Sequence, residues 1–307
     1  MRILVTGASG MVGRNLLQRP AAEKYDILAP TRQILDLTSI DAVVEYLHEN
    51  QPDLIIHLAG KVGGIKANMA DPFGFFSQNM AINYNLILAA KLSGVQRFLN
   101  LGSSCMYPKD APNPLNESSL LTGSLEPTNE GYALAKIMAQ RMCLYISEQF
   151  EALQFKTIIP CNLYGPFDKF DEVNAHLIPA VIRKIHEAMI NGADEVNIWG
   201  DGTTRREFMF VDDLADLIWD ACDRFNSLPS VMNAGIGHDH SIFEYYKNVA
   251  NVLGYTGDFS FDTTQPGGMA QKLVCSDVAN NWGWVPKISL SDGISKTYSY
   301  FLKEMIL

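Results

Sequence analysis

A strand-like segment, Arg2–Thr6, with apolar Ile3-Leu4-Val5 at its centre, passes without a break into Gly7-Ala8-Ser9-Gly10-Met11-Val12-Gly13, and the residues after it carry a helical pattern. A GxxGxxG turn between an opening strand and a helix limits the fold severely. Glycines at Gly7, Gly10 and Gly13 allow a tight turn, let a pyrophosphate approach the backbone, and leave that anion at the positive end of a helix. A lone glycine triplet is an ordinary turn; its position directly after the first strand makes it a dinucleotide-binding signature, with Met11 and Val12 carried along in the same turn.

The first half of the chain repeats the same alternation. Strands are predicted at Arg2–Thr6, Tyr25–Ala29, Leu54–Leu58, Arg97–Leu101 and Phe155–Ile159, with helices at Met11–Leu17, Ile40–Asn50, Asn79–Leu92 and Tyr132–Glu148. Helical crossovers between successive strands give a parallel sheet covered on both faces, and the handedness rule makes it a right-handed, doubly wound α/β fold of Rossmann type. After Asn162–Pro166 (NLYGP) the texture changes to longer polar loops, one amphipathic helix around His176–Met189 and scattered short strands. This reads as a smaller mixed α/β lobe facing the substrate. Val211–Phe225 and Val231–Ala234 look like a return to the sheet. The expected division is therefore interleaved: 1–165 completed by about 211–236, and 166–210 with 237–307.

Composition narrows the function classes. A chain of 307 residues, 47% of them hydrophobic, can bury one full core or two. A formal charge of −10 leaves no basic stripe for a polyanion, which argues against nucleic acid as a partner. No apolar run approaches the ~18–20 residues of a membrane span, and MRILVTG lacks the regions of a signal peptide. A cytoplasmic protein without membrane contact is expected. The five cysteines, Cys105, Cys143, Cys161, Cys222 and Cys275, are scattered without a CxxC pair, which fits reduced thiols rather than disulfides or a metal site.

The end of the second strand distinguishes the two nicotinamide dinucleotides. A carboxylate there binds a ribose 2′-hydroxyl and repels a 2′-phosphate; this chain has Pro30-Thr31-Arg32 instead. Arg32 suits bidentate phosphate recognition, which favours NADP(H), although a solvated surface arginine is the plainer alternative. Asp36 and Leu37 follow, placed to meet the adenine, and His57-Leu58-Ala59-Gly60 carries Leu58 and Ala59 past the cofactor.

Tyr132 and Lys136 lie four apart in a helical stretch and share one face. A phenol with a pKa near ~10 is a poor proton carrier at neutral pH; a neighbouring ammonium is expected to lower that value. The fourth strand ends in Gly102-Ser103-Ser104-Cys105, which delivers hydroxyls to the sheet edge where ligands gather. Asn162, just after the fifth strand, is placed to hydrogen-bond a diphosphate or sugar.

Taken together, GxxGMVG at Gly7–Gly13, HLAGKVGGI at His57–Ile65, LGSSCMYP at Leu101–Pro108, EPTNEGYALAK at Glu126–Lys136, NLYGP at Asn162–Pro166 and WGDGTTRREF at Trp199–Phe208 resemble the GDP-L-fucose synthase family of extended short-chain dehydrogenases/reductases. The matching stretches span nearly the whole chain. The resemblance implies a homodimeric enzyme that epimerises a GDP-activated 4-keto-6-deoxymannose at C3 and C5 and reduces C4 with NADPH. It implies that Ser103 polarises the keto oxygen, with Ser104 as the adjacent alternative, that Tyr132 donates the proton, and that Lys136 tunes Tyr132 and holds the nicotinamide ribose. It gives Cys105 and His176 the epimerisation step, in which one group removes a proton beside the ketone and another returns one from the opposite face. Both side chains titrate near neutrality in water. Without the resemblance, Cys105 reads as core filler and His176 as a surface or capping residue. Trp199 and Arg206 match the family's nucleotide-diphosphate cradle, and Lys184 matches a basic position.

Two departures fall near the sugar and nucleotide. The family's His-Asp-Asn-Phe is Phe167-Asp168-Lys169-Phe170 here, and a usual aspartate is replaced at Gly267. They leave the identity of the sugar open. A GDP-colitose synthase, which performs 5-epimerisation and 4-reduction on a 3-deoxy substrate, is the nearest alternative, followed by a 4-reductase without epimerase activity. Cys105, where a 4,6-dehydratase would want an acidic residue, argues against that chemistry. A non-catalytic NADP(H) sensor has no need of Tyr132 and Lys136.

Overall fold

The computed structural model describes residues 1–171, 175–264 and 269–306. In its first half β1 (Arg2–Thr6), α1 (Met11–Gln18), β2 (Asp26–Leu28), α2 (Ile40–Asn50), β3 (Leu54–His57), α3 (Ile65–Ala70), α4 (Pro72–Leu92), β4 (Arg97–Leu101), α5 (Glu130–Gln149) and β5 (Gln154–Pro160) alternate. There follow β6 (Asn162–Tyr164), α6 (Leu177–Asn191), β7 (Glu195–Trp199), β8 (Arg205–Arg206), β9 (Phe208–Phe210), α7 (Val211–Asp223) and β10 (Val231–Ala234). The chain closes with β11 (His240–Ser241), α8 (Ile242–Leu253), β12 (Asp258–Asp262), β13 (Gln271–Lys272), α9 (Asp277–Trp282) and α10 (Leu290–Ile306).

The main sheet has the order β10-β5-β4-β3-β1-β2, and its neighbours pair in parallel. This is the doubly wound architecture. Because β1 lies between β2 and β3, the order reverses there, and a crevice opens at the carboxyl ends of these strands. The strands read as continuous apolar runs because both faces are covered. Ile3 and Val5 of β1 join one core with Ile56, Leu99 and Trp219. Leu4 points the other way into a core with Ile55, Phe98, Phe155 and Leu86. That period of two is the pleat of the strand.

A third core gathers Tyr164, Ile178, Ile182, Phe208, Tyr245 and Phe301, all from beyond residue 160. It holds more helix than the polar texture of this region predicts: α8 and α10 pack beside α6. α8 has a capping box, with Glu244 N donating to Ser241 Oγ and Ser241 N to Glu244 Oε2, and ends at Gly254 in the left-handed region. In the first half, α4 begins at Pro72 rather than Asn79, because Asp71 accepts from Gly74 N at 2.9 Å and proline fits the first helical position. The short helix α3 was likewise not predicted. Val211–Phe225 proves mostly helical, while β10 supplies the returning strand by pairing with β5. α7 is anchored to α1 by Trp219 Nε1, which donates to Leu16 O at 2.9 Å, and by Arg19 on Asp216 at 2.7 Å. Among the described residues no helix is long and apolar enough to cross a membrane.

His57, at the end of β3, is fully buried between Thr6 Oγ1 at 2.8 Å and Asn83 Oδ1 at 2.9 Å. Burial, reinforced by the Lys136 charge, pulls this imidazole down to about 3. In the unfolded chain it protonates near ~6.5. The stability this neutral ring confers is therefore complete above pH ~6.5 and lost as the pH falls toward the folded value. Between pH 7 and pH 4 the loss should be on the order of 3 kcal/mol. Urea titrations at the two pH values, compared with His57→Gln, should show a shallower acid loss in the variant; equal losses would exclude His57 as the source.

Candidate active site

The glycine turn is shaped by close approach. Gly7 has φ +71°, and a Cβ there would stand 2.6 Å from Ala59 N. A Cβ on Gly13 would stand 2.4 Å from Gly7 O. Gly10 occupies the N-cap of α1 without a side-chain cap, so the first turn presents its N–H groups to whatever lies beyond it. This bare, positively polarised helix end against a wall of backbone fits the pyrophosphate of a dinucleotide.

A cavity of about 840 Å³ runs from this turn along the carboxyl edge of the sheet. Gly7, Gly10, Met11, Val12 and Gly13 line one end with Arg32, Asp36, Leu37, Leu58 and Ala59. Thr38 holds Asp36 ionised through its backbone N–H at 2.9 Å and its hydroxyl at 2.7 Å, with Arg32 adding a favourable charge. Ser103, Cys105, Tyr132, Lys136 and His176 line the middle. Ser104 does not: it is buried in a tight turn at 104–106 and is absent from the wall. Asn162 and Arg206 lie toward the far end.

The expected lowering of Tyr132 by Lys136 is not what the structure shows. Burial, with a small contribution from Cys105, pushes the phenol well above its ordinary value. Lys136 Nζ is spent on Leu101 O at 2.7 Å and stands 5.9 Å from the centre of the Tyr132 ring. Burial also lowers Lys136 itself to about 8. Tyr132 is thus a protonated phenol, a donor. Cys105 departs from its free value in the same direction: burial raises the thiol despite the opposing charges of Lys272 and Lys136 and the bond to Ser103. His176 sits at the N-cap of α6 rather than inside it, and its Nδ1 lies 3.3 Å from Asp168 Oδ1.

At the far end Arg206 donates to Arg205 O at 2.7 Å and Met269 O at 2.6 Å. The adjacent Glu207 turns away: it accepts from Ile236 N, Gly237 N and Val274 N and is fully buried. Burial, only partly offset by those bonds, lifts its carboxyl to about 7. Asn162 Nδ2 donates to Glu207 O at 2.8 Å. Lys184 and Trp199 stand outside the cavity wall. Lys184 Nζ donates to Asn197 O at 3.0 Å and lies 5.6 Å from the centre of the half-exposed Trp199 ring, while Lys66 of α3 reaches the same ring at 4.1 Å. Gly267 lies outside the described residues.

Among the wall residues that escaped the sequence reading, two stand beside the residues it did name. Lys272 faces Cys105, Arg206 and Glu126, yet β13 is a two-residue strand paired to β8 and too short to show a period. Asp168 carries no signal beyond its closeness to NLYGP.

A glycine-bound helix end, a partly buried tyrosine and a helical lysine on one cleft define a dinucleotide-dependent enzyme site. Residues 3–235 match the model of the NAD dependent epimerase/dehydratase family. A GDP-L-colitose synthase of Yersinia pseudotuberculosis is 50% identical over 99% of both chains. A GDP-L-fucose synthase of Azorhizobium caulinodans is 46% identical over 98% of this chain and 96% of its own. A GDP-mannoheptose C4 reductase of Campylobacter jejuni, solved with NADP bound, superposes with a TM-score of 0.89 at 31% identity, covering 98% of each chain. The chain belongs to the NAD dependent epimerase/dehydratase family.

Proposed function

We propose that this chain is an NADP(H)-dependent oxidoreductase that epimerises a GDP-activated 4-keto-6-deoxyhexose beside its ketone and reduces C4. The observation that carries this reading is the convergence of two proton-handling sets on one cavity: Ser103 with Tyr132 and Lys136, and Cys105 with His176. The relatives named as GDP-L-fucose and GDP-L-colitose synthases support it. Bound at the glycine turn, NADPH supplies the reducing equivalents for the C4 ketone. Gly7, Gly10, Met11, Val12 and Gly13 hold its pyrophosphate, Arg32 its 2′-phosphate, and Asp36, Leu37, Leu58 and Ala59 its adenosine half.

Ser103 donates a hydrogen bond to the keto oxygen, and Tyr132, protonated by virtue of its burial, gives that oxygen a proton. Lys136 is held by Leu101 O beside the nicotinamide ribose and Tyr132. Cys105 and His176 exchange protons at the carbons next to the ketone, which carbonyl conjugation acidifies. Asn162 and Arg206 hold the diphosphate, while Lys184 and Trp199, outside the cavity wall, are assigned to the nucleotide by the family resemblance alone. A sensor needs neither set, and a simple 4-reductase needs only the first. A 3,6-dideoxy sugar is supported by the 50% identity to the colitose synthase, and a 6-deoxy sugar that keeps its C3 hydroxyl by the resemblance of Leu101–Pro108 and Glu126–Lys136 to the fucose synthase motifs.

The lobe of residues 1–165, completed by 211–236, carries the cofactor; 166–210 and 237–307 carry the nucleotide sugar. Pairing of β10 with β5 and the separate core around Tyr245 support that division. A homodimer in the cytoplasm completes the reading. α4 and α5 pack together yet leave Tyr84, Leu134 and Tyr145 exposed, an apolar strip suited to a second copy.

Purified protein given NADPH and, separately, GDP-4-keto-6-deoxymannose or its 3-deoxy analogue should consume NADPH with one or both, and NMR of the product identifies the sugar. Silence with both substrates would sink the reading. Cys105→Ser should reduce solvent-deuterium incorporation beside the ketone by about an order of magnitude or more. Undiminished incorporation removes Cys105 from the epimerisation.

A further inference from the structure

The backbone after β6 takes two unusual turns. Gly165 has φ +152° and Phe167 has φ +67°, a left-handed conformation that a bulky residue adopts only under constraint. The Phe167 ring supplies that constraint, with the Arg14 guanidinium 3.8 Å above it and Tyr300 meeting it edge-on at 4.8 Å. The turn drives the next side chain inward. The Asp168 side chain is only 4% exposed. Its Oδ1 accepts from Lys169 N at 2.8 Å and faces His176 Nδ1 at 3.3 Å, while Oδ2 is buried with no hydrogen-bond partner among the described residues. Burying a carboxylate in that half-satisfied state costs stability unless the charge serves a neighbour.

His176 is the neighbour that gains. It holds the N-cap of α6 with an extended backbone, and its side chain caps nothing. Its surroundings otherwise disfavour a charged imidazole: the positive end of α6, the Lys169 ammonium and partial burial. We propose that Asp168 is a positioning residue for His176: it accepts a hydrogen bond from Nδ1–H, fixes that tautomer and the ring orientation, and leaves Nε2 as the atom that takes up and returns a proton at the cavity. Burial pulls the imidazole down, and the hydrogen bond and charge of Asp168 more than offset it, so that His176 lies above its ordinary value. A ring held this way keeps its proton more readily than a free imidazole. The inference rests on the epimerase reading for its catalytic consequence, but the pairing itself can be tested without turnover.

The test uses the full-length protein with ¹³C-labelled histidine, His176 being assigned by the resonance missing from His176→Gln. In Asp168→Asn the His176 midpoint should fall by about one pH unit or more, as expected on losing an adjacent opposite charge. Deuterium incorporation beside the ketone should drop about tenfold, NADPH affinity should stay unchanged, and Asp168→Glu should recover part of both losses. A His176 midpoint unmoved in Asp168→Asn overturns the proposal whatever the activity. So does lost incorporation with an unmoved midpoint, which would make Asp168 a purely structural residue. If the unsubstituted protein shows no incorporation at all, the epimerase reading fails, while the titration still decides the pairing.

Discussion

Tyr132→Phe is expected to lower NADPH consumption by 4-keto sugar roughly 10³-fold, the range observed when a positioned proton donor is removed, while NADPH affinity changes less than about threefold. The asymmetry follows from the local structure. The tyrosine is partly buried and its phenol is held protonated, so the substitution deletes a proton at the place where the C4 oxygen would need one. The hydroxyl makes no hydrogen bond to any described residue, so its loss orphans no partner, and the retained ring keeps the wall of the cavity. Stopped-flow absorbance and a fluorescence titration of NADPH measure the two quantities. Normal turnover in the variant would refute the role given to Tyr132. Loss of both turnover and NADPH binding would mean that the hydroxyl holds the cofactor rather than serving as the proton donor.

Gly13→Ala tests the other end of the cleft. Its new Cβ would meet Gly7 O at 2.4 Å and Ala8 Cα at 2.6 Å, both backbone atoms that no rotamer change can clear. α1 has little freedom to retreat, because Leu16 O is tied to Trp219 and Arg19 to Asp216. The turn must deform instead. Since displacements near 1 Å at a binding constellation cost about 10²-fold, NADPH affinity should fall by at least that factor. Overpacking should also lower stability by about 1–3 kcal/mol. Affinity within a few-fold of the unsubstituted protein would mean that the dinucleotide does not rest on this turn.

The sheet was legible in the sequence because buried parallel strands carry apolar runs, as Ile3–Val5 does in β1 and Leu54–Ile56 in β3, and because β4 keeps Phe98, Leu99 and Leu101 around Asn100. Site residues fixed by those strands or by a helical repeat were legible for the same reason: Ser103 and Cys105 follow β4, and Tyr132 and Lys136 lie one turn apart. Helix α8 carried readable signals in Ser241, Glu244 and Gly254, and α4 in Asp71-Pro72; the polar residues around them obscured the period. Asp168 and Lys272 were illegible because their positions depend on a left-handed turn at Phe167 and on strand pairing between β13 and β8. The protonation of Tyr132 was illegible for a different reason. Its sign depends on how dry the site is and on where Lys136 Nζ points, and spacing alone reports neither.

Because β10 completes the sheet beside β5, the cofactor half has an open edge until residues up to Ala234 have been made. A growing chain that has emerged only as far as residue 165 therefore carries an unpaired, apolar strand edge, a ready template for association with other chains. Folding of this half must wait for more than sixty further residues, which at ribosomal speeds of ~5–20 residues per second is a delay of several seconds. The interleaved topology thus exposes the nascent protein to aggregation during synthesis, and expression yield should depend on translation rate and chaperone supply.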